Sequence, residues 1–373
     1  TLQGDGPFTI FAPVNSGFDA LELDALLDPA NQGLLQKILT NHVIAGVEVA
    51  EADLVDGQMV GTVEGSMLEI DLDGGATVNG IDIIATDIRV GNGIVHLIDE
   101  VIVDHLNIVE RAIATPQTQT LVDAVVAGDL TGTLSGAGPF TVFAPTNEAF
   151  AALPSDVLGR LLDPANQAIL QKLLTYHVIP AEVREADLVD DTDVGTVEGT
   201  TVRIDLDGGA TVNGVDIVAT DVETENGVIH LIDEVLIGSL DIVDQAVLYG
   251  FDTLVGAVQS AGLEATLRGD NMGAGFTVFA PTNDAFAAIA PLPTDAGVLS
   301  NILTYHVLAL TAESSGLSDG QVVATVQGGD ITIRIGGDGA ITVEGANNTV
   351  NVTVVDVPAK NGVIHVIDAV LLP

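Results

Sequence analysis

Phe140-Thr141-Val142-Phe143-Ala144-Pro145-Thr146-Asn147-Glu148-Ala149-Phe150 reads as a strand handed directly to a helix. The β-type run Phe140 to Phe143 is stopped by Pro145, after which Thr146 or Asn147 can cap a helix carrying Ala149, Phe150 and Leu153. Farther on, Asp163-Pro164 supplies an N-cap followed by a proline at the first helical position. The helix it opens has Ile169, Leu170, Leu173 and Leu174 on one face and runs to Tyr176-His177. Val202, Ile204 and Leu206 then alternate with Arg203, Asp205 and Asp207, the period of a half-buried strand. Gly208-Gly209 turns the chain, Asn213-Gly214 carries a type I′ hairpin signal, and a last strand pair meets near Asn226-Gly227 before the closing run Val228 to Ile237. Helices precede antiparallel strands, so the unit belongs to the α+β class.

The same unit recurs. Phe8-Thr9-Ile10-Phe11-Ala12-Pro13 and Phe276-Thr277-Val278-Phe279-Ala280-Pro281 repeat the opening strand. Asn41-His42-Val43 and Tyr305-His306-Val307 repeat Tyr176-His177-Val178, and His96, His230 and His365 sit at one place in three closing runs. Their spacings, 230 − 96 = 134 and 365 − 230 = 135 residues, are domain-sized, so the chain is an array of globular domains rather than a solenoid. The expected domains are 1–104, 108–238 and 242–373. Thr1-Leu2 matches Thr133-Leu134, so the first copy is expected to lack the helical segment that corresponds to 108–132. That gap implies a fragment, processing, or completion by a neighbouring molecule.

Composition narrows what such an array can do. Hydrophobic residues make up 47% of the chain without any run long enough for a membrane span, which predicts packed soluble domains and no direct membrane insertion. There is no Cys, so disulfides and thiolate metal sites are excluded. Ten Lys+Arg face 53 Asp+Glu, a formal net charge of −43, which repels phosphate backbones and rules against nucleic acid. So acidic a surface predicts stabilisation by salt, as in a marine or halophilic setting.

Three motifs in fixed order, Phe-Thr-Val-Phe-Ala-Pro-Thr-Asn-x-Ala-Phe, Leu-Thr-Tyr-His-Val and Asn-Gly-Val-Ile-His-x-Ile-Asp, occur in copies 2 and 3 and, with changes, in copy 1. The chain resembles the fasciclin (FAS1) domain family. That resemblance implies an antiparallel β-wedge or sandwich with several packed helices, and a role in adhesion or scaffolding outside the cell or on its surface. The implied partners are an extracellular protein or carbohydrate ligand, or further copies of the chain as a structural protomer of a surface fibre or layer. In animal members the adhesive segments attributed to integrin contact are a Tyr-His and an Asp-Ile motif. By the resemblance the first maps to Tyr176, His177, Tyr305 and His306, and the second to Asp87, Ile88, Asp221, Val222, Asp356 and Val357. Copy 1 has Asn41 in place of the tyrosine, and only copy 1 keeps the isoleucine, so what carries over is the surface edge rather than integrin as ligand.

Six of seven histidines occupy two repeated positions, which fits a structural role for His42, His96, His230 and His365, hydrogen-bonded in the core, and predicts a solvated His105 outside the pattern. His230 and Asp233 lie three apart on a strand and so on opposite faces, which argues against a catalytic pair. With no Gly-x-Ser-x-Gly elbow and no His-Glu-x-x-His helix, neither an enzyme nor a cofactor is expected. Asp71-Leu72-Asp73-Gly74-Gly75 and Asp205-Leu206-Asp207-Gly208-Gly209 resemble the start of a calcium loop, but strand-forming residues follow. Tight turns are expected there, with weak Ca²⁺ association at most.

Overall fold

The alternation at Val202 and Ile204 becomes the strand Thr201–Asp205, with those two side chains buried and their neighbours exposed. Asn213 (φ 52°) and Gly214 (φ 78°) form the two-residue hairpin that the Asn-Gly pair predicts, pairing Val212 with Val215. Thr146 caps the helix Asn147–Ala152 by accepting from the Ala149 N–H at 3.1 Å. Asp163-Pro164 opens a 3₁₀ turn, Pro164–Asn166, before the α-helix Gln167–Tyr176 begins. A helix at Ser155–Leu161 precedes it.

The computed structural model describes residues 2–373, so the Thr1 half of the Thr1-Leu2 match lies outside the described residues. Each repeat builds one seven-stranded sheet with the same strand order. In the second repeat it runs 192–195, 201–205, 211–212, 215–224, 227–232, 140–145, 178–179. The antiparallel expectation is met at every pairing but one. The opening strand Phe140–Pro145 lies parallel to the closing strand Gly227–Ile232, with Phe143 opposite His230. The first and third repeats pair Phe11 with His96 and Phe279 with His365 in the same parallel register.

The chain divides into two compact units. One (1–150, 177–195, 201–234) holds the sheets of the first and second repeats. The other (151–176, 196–200, 235–373) holds the helices Ser155–Leu161 and Gln167–Tyr176 of the second repeat, together with the whole third repeat.

The third repeat shows how one sheet serves two cores. Phe276, Val278 and Ala280 of the opening strand, with Ile364 and Val366 of the closing strand, face Leu254, Val258, Leu267, Phe286, Leu299 and Leu303 from the helices. The alternate residues Phe279 and Ile367 face Tyr305, Ile331, Ile333, Val343 and Leu371. Burial on both faces explains why closing strands read as unbroken apolar runs instead of alternating. In the first repeat Phe11, Leu68, Ile70, Val78 and Ile98 form the equivalent second core.

Candidate functional site

The closing motif Asn-Gly-x-x-His occupies the centre of each sheet, and each of its members has a fixed task. Gly227 and Gly362 hold φ 152°, and a Cβ there would sit 1.9 Å from the carbonyl oxygen of Phe140 or Phe276. At Gly93 the same clash with Phe8 is 2.2 Å. The Asn226 side chain accepts from the Ile108 N–H at 2.9 Å and donates to the carbonyls of Leu134 and Gly136 at 2.9 and 2.8 Å. Asn361 repeats this with Ile242, Leu267 and Gly269. The asparagine therefore ties the first helix of its domain to the loop before the opening strand.

The closing histidines pin a loop to a bulge. His230 Nε2 donates to the Val183 carbonyl at 2.9 Å, and its Nδ1 accepts from the Asp221 N–H at 3.2 Å. His96 makes the same pair with Val49 and Asp87, and His365 with Ala312 and Asp356. The aspartates of the Asp-Ile motif sit at left-handed φ (58°, 55° and 59°) where the strand pairing slips. Their carboxylates accept from the N–H groups of Glu51, Glu185 and Ser314 at 2.8, 2.9 and 2.7 Å. Burial alone raises the Asp356 carboxyl, but hydrogen bonds from the Ser314 hydroxyl and N–H outweigh it and hold the group below the usual carboxylate range. Burial lowers the pKa of His230.

The Tyr-His motif lies inside, which corrects the surface placement expected for Tyr176, His177, Tyr305 and His306. All four are buried. The Tyr305 hydroxyl donates to the Asp330 carbonyl at 2.8 Å and accepts from the Ala346 N–H at 2.9 Å. His306 Nδ1 donates to the Ile302 carbonyl at 2.9 Å while its Nε2 accepts from the Leu371 N–H at 2.8 Å. His42 repeats this with Ile38 and Ile102. Burial pushes both His42 and His306 down to about 4. In the third repeat Tyr305 belongs to the second core.

Of the Asp-Ile pairs, Asp87 and Ile88 are exposed, Asp221 and Val222 half-buried, and Asp356 half-buried beside a buried Val357. The solvated placement expected for His105 is also corrected. His105 is buried, and its Nδ1 accepts from Asn41 Nδ2 at 2.8 Å. Asn41 Oδ1 in turn takes hydroxyl donors from Thr62 and Ser66. Where copies 2 and 3 place a tyrosine, copy 1 satisfies a shorter side chain with a polar cluster.

The second and third repeats each carry a cleft at the rim beside the Asn-Gly turn. In the second repeat an open cleft of about 850 Å³ is lined by Asn107, Gly138, Glu182, Glu225 and Asn226. The third repeat carries one of about 760 Å³ at the matching place, lined by Asp270, Glu313, Asp356, Lys360 and Asn361.

A profile of the Fasciclin domain matches residues 1–104, 116–238 and 249–373. The chain belongs to the fasciclin family. Periostin of Homo sapiens is 33% identical over 346 residues, which is 90% of this chain and 40% of periostin. Protein sll1735 of Synechocystis sp. is 42% identical over 131 residues, 35% of this chain and 97% of that protein. Among solved structures, a FAS1 domain pair from the insect cell adhesion molecule fasciclin I aligns at a TM-score of 0.33 and 20% identity, covering 67% of this chain and 95% of that one. The chain spans less than half the length of periostin.

Within the fasciclin domains, one residue that carries the framework escapes a search for chemistry. Thr9, Thr141 and Thr277 are fully buried in the opening strands. Each hydroxyl donates to a carbonyl (Val47, Ala181, Leu310) and accepts from an N–H two residues on (Val49, Val183, Ala312). Its only signal in the sequence is that it stays threonine in all three copies of the opening strand. The calcium-like stretches of the first two fasciclin domains spend their carboxylates on backbone. Asp71 accepts from the Asp73 N–H at 2.7 Å and Asp205 from the Asp207 N–H at 2.8 Å. Among the described residues no group of three or more His, Asp or Glu is placed to hold a metal ion.

Proposed function

We propose that this chain is a non-enzymatic adhesion or scaffolding protein that works outside the cell, its fasciclin domains offering rim clefts to a protein or carbohydrate ligand. The observation that carries this reading is the pair of clefts at matching places in domains 2 and 3, built around the Asn226 and Asn361 turns. The histidines that suggest chemistry have both ring nitrogens committed to backbone groups in His42, His96, His230, His306 and His365, which supports a framework role for them. Both clefts carry carboxylates and an asparagine (Glu182, Glu225 and Asn226; Asp270, Glu313, Asp356 and Asn361), a chemistry that suits basic side chains or hydroxyl-rich sugars. Weak sites repeated on one chain gain avidity when a surface presents several ligands together. The reading of an extracellular setting rests on family membership. Among the described residues no helix is long and apolar enough to cross a membrane.

The test is retention of the 373-residue chain on arrays of polysaccharides and matrix proteins, with Glu182→Ala/Glu225→Ala and Glu313→Ala/Lys360→Ala variants. Binding that weakens with one altered cleft and drops further with both supports the reading. Binding to no surface, or binding indifferent to both pairs, defeats it.

A further inference from the structure

Domain 3 carries an insertion at its rim that the other two domains lack. Leu2 and Phe8 are six residues apart, as are Leu134 and Phe140, whereas Leu267 and Phe276 are nine apart (8 − 2 = 6; 140 − 134 = 6; 276 − 267 = 9). The asparagine anchors place the extra residues. Asn92 donates to the carbonyls of Leu2 and Gly4, Asn226 to those of Leu134 and Gly136, and Asn361 to those of Leu267 and Gly269. The three domains therefore run in step up to Gly269, and domain 3 departs in the loop from Asp270 to Gly275. That loop gives Asp270, Gly273 and Gly275 to the cleft, and between them stands Met272, 99% exposed. Among the described residues no other large hydrophobic side chain exceeds 67%.

The loop holds this tip in place. The Met272 φ of 56° is a left-handed conformation that suits glycine and that a long side chain seldom adopts. The Asp270 carboxylate accepts from the Met272 N–H at 3.1 Å, and the Asn271 side chain donates to the carbonyls of Gly275 and Ala309, each at 3.0 Å. A backbone already fixed loses little further freedom when a partner covers its side chain. Beside the tip, Asp270, Glu313 and Asp356 line the cleft, and among the described residues no Lys or Arg lies within ion-pair distance of these three. The cation of the lining, Lys360, lies 3.8 Å from Glu198 instead.

We infer that the rim of domain 3 is a two-point site for a polypeptide, with a Lys or Arg side chain on the carboxylates and an aromatic side chain on the Met272 thioether. This rests on the reading of the clefts as binding sites and narrows its ligand from protein or carbohydrate to protein. Carboxylates without a cation attract a basic side chain. Thioether sulfur packs favourably on aromatic rings, whereas sugar hydroxyls gain nothing from it. Residues two apart in an extended peptide share a face, so a basic residue and an aromatic one at that spacing reach both points together.

The experiment titrates the 373-residue chain into a fluorescein-labelled Gly-Ser peptide carrying Arg-Ser-Phe, read by anisotropy, beside its Arg-Ser-Gly and Gly-Ser-Phe analogues and with dextran as competitor. Saturable binding of Arg-Ser-Phe is expected, about ten-fold or more tighter than either analogue. Met272→Gly should weaken Arg-Ser-Phe by about ten-fold and leave Arg-Ser-Gly unchanged. Glycine accepts the left-handed φ, so the thermal midpoint of that variant should not fall. Binding of Arg-Ser-Phe that ignores Met272→Gly but is lost in Glu313→Ala/Lys360→Ala overturns this inference and leaves the cleft as a binding site. Displacement by dextran overturns it in favour of a sugar. Absence of peptide binding also overturns it, and blank arrays of polysaccharides and matrix proteins would then remove the cleft reading as well.

Discussion

At the scale of single residues, the two repeated histidines of domains 1 and 3 are opposite tautomers, because their neighbours leave no choice. His42 and His306 face a carbonyl with Nδ1 and an N–H with Nε2, so the proton sits on Nδ1. His96, His230 and His365 face an N–H with Nδ1 and a carbonyl with Nε2, so it sits on Nε2. Long-range ¹H–¹⁵N spectra at neutral pH are expected to show these two tautomer patterns in that assignment; one shared pattern would contradict the hydrogen-bond scheme. A stability effect follows from burial. Burial pushes the folded pKa of His42 and of His306 down to about 4 from an ordinary 6.5, so the unfolded chain takes up the proton first as pH falls. The penalty is absent well above pH 6.5, grows below it and levels off near pH 4, at about 3 kcal/mol for each ring. Urea midpoints should therefore fall between pH 7 and 5, before most carboxylates titrate, and a flat profile there counts against neutral buried rings. Gly362→Ala is expected to cost at least about 3 kcal/mol, since its Cβ meets backbone rather than a side chain that can swing away. Differential scanning calorimetry reads that loss in the transition of domain 3.

At the scale of elements, the helix that opens each later domain is also held by a lysine from a helix within the previous one. The helix Ile108–Ala114 carries an Asn107/Glu110 capping box, and Lys37 from the helix Gln32–Asn41 reaches Glu110 at 2.7 Å. The helix Ile242–Leu248 repeats the arrangement with Asp241/Asp244, joined by Lys172 at 2.8 Å and Arg268 at 2.7 Å. Burial alone raises the Asp244 carboxyl, but the Arg268 and Lys172 contacts outweigh it and hold it ionised below the usual range. Lys172→Met removes one of two cations from a nearly buried carboxylate, so about 1–3 kcal/mol is expected to be lost. The loss should vanish in a Lys172→Met/Asp244→Asn pair, where no charge is left uncompensated, and urea denaturation checks both. The strands, the hairpin at Asn213-Gly214 and the capped helix after Thr146 were legible in the sequence because each is written in neighbouring residues. The parallel pairing of Phe143 with His230 was not, since its partners lie 230 − 143 = 87 residues apart and no local period marks it. The burial of Tyr305 was hidden for a related reason, as its hydroxyl partners Asp330 and Ala346 come from a strand and a turn later in the chain.

At the scale of the whole molecule, charge sets two dependences on salt with opposite signs. If every Lys and Arg cancels one carboxylate, 53 − 10 = 43 acidic groups remain without a cation. Among the described residues, nine of the ten basic side chains already lie within ion-pair distance of a carboxylate. Salt weakens those pairs, but exposed ones contribute only about 0–1 kcal/mol each. It also screens repulsion among the remaining 43 charges, as the Debye length falls from about 10 Å at 0.1 M to about 3 Å at 1 M. Repulsion involves many more charges than attraction, so the thermal midpoint in sodium chloride is expected to rise by several degrees over that range. Sulfate would blur the reading, because its exclusion from protein surface stabilises any fold. Association behaves the other way, since a basic ligand drawn to the acidic rim clefts loses affinity as the same screening grows. Melting and binding measured on one sample across the chloride series should thus move in opposite directions. A midpoint that fell with salt would mean that the nine ion pairs outweigh the surplus carboxylates, and binding that held steady would mean that the clefts recognise sugar hydroxyls rather than cations.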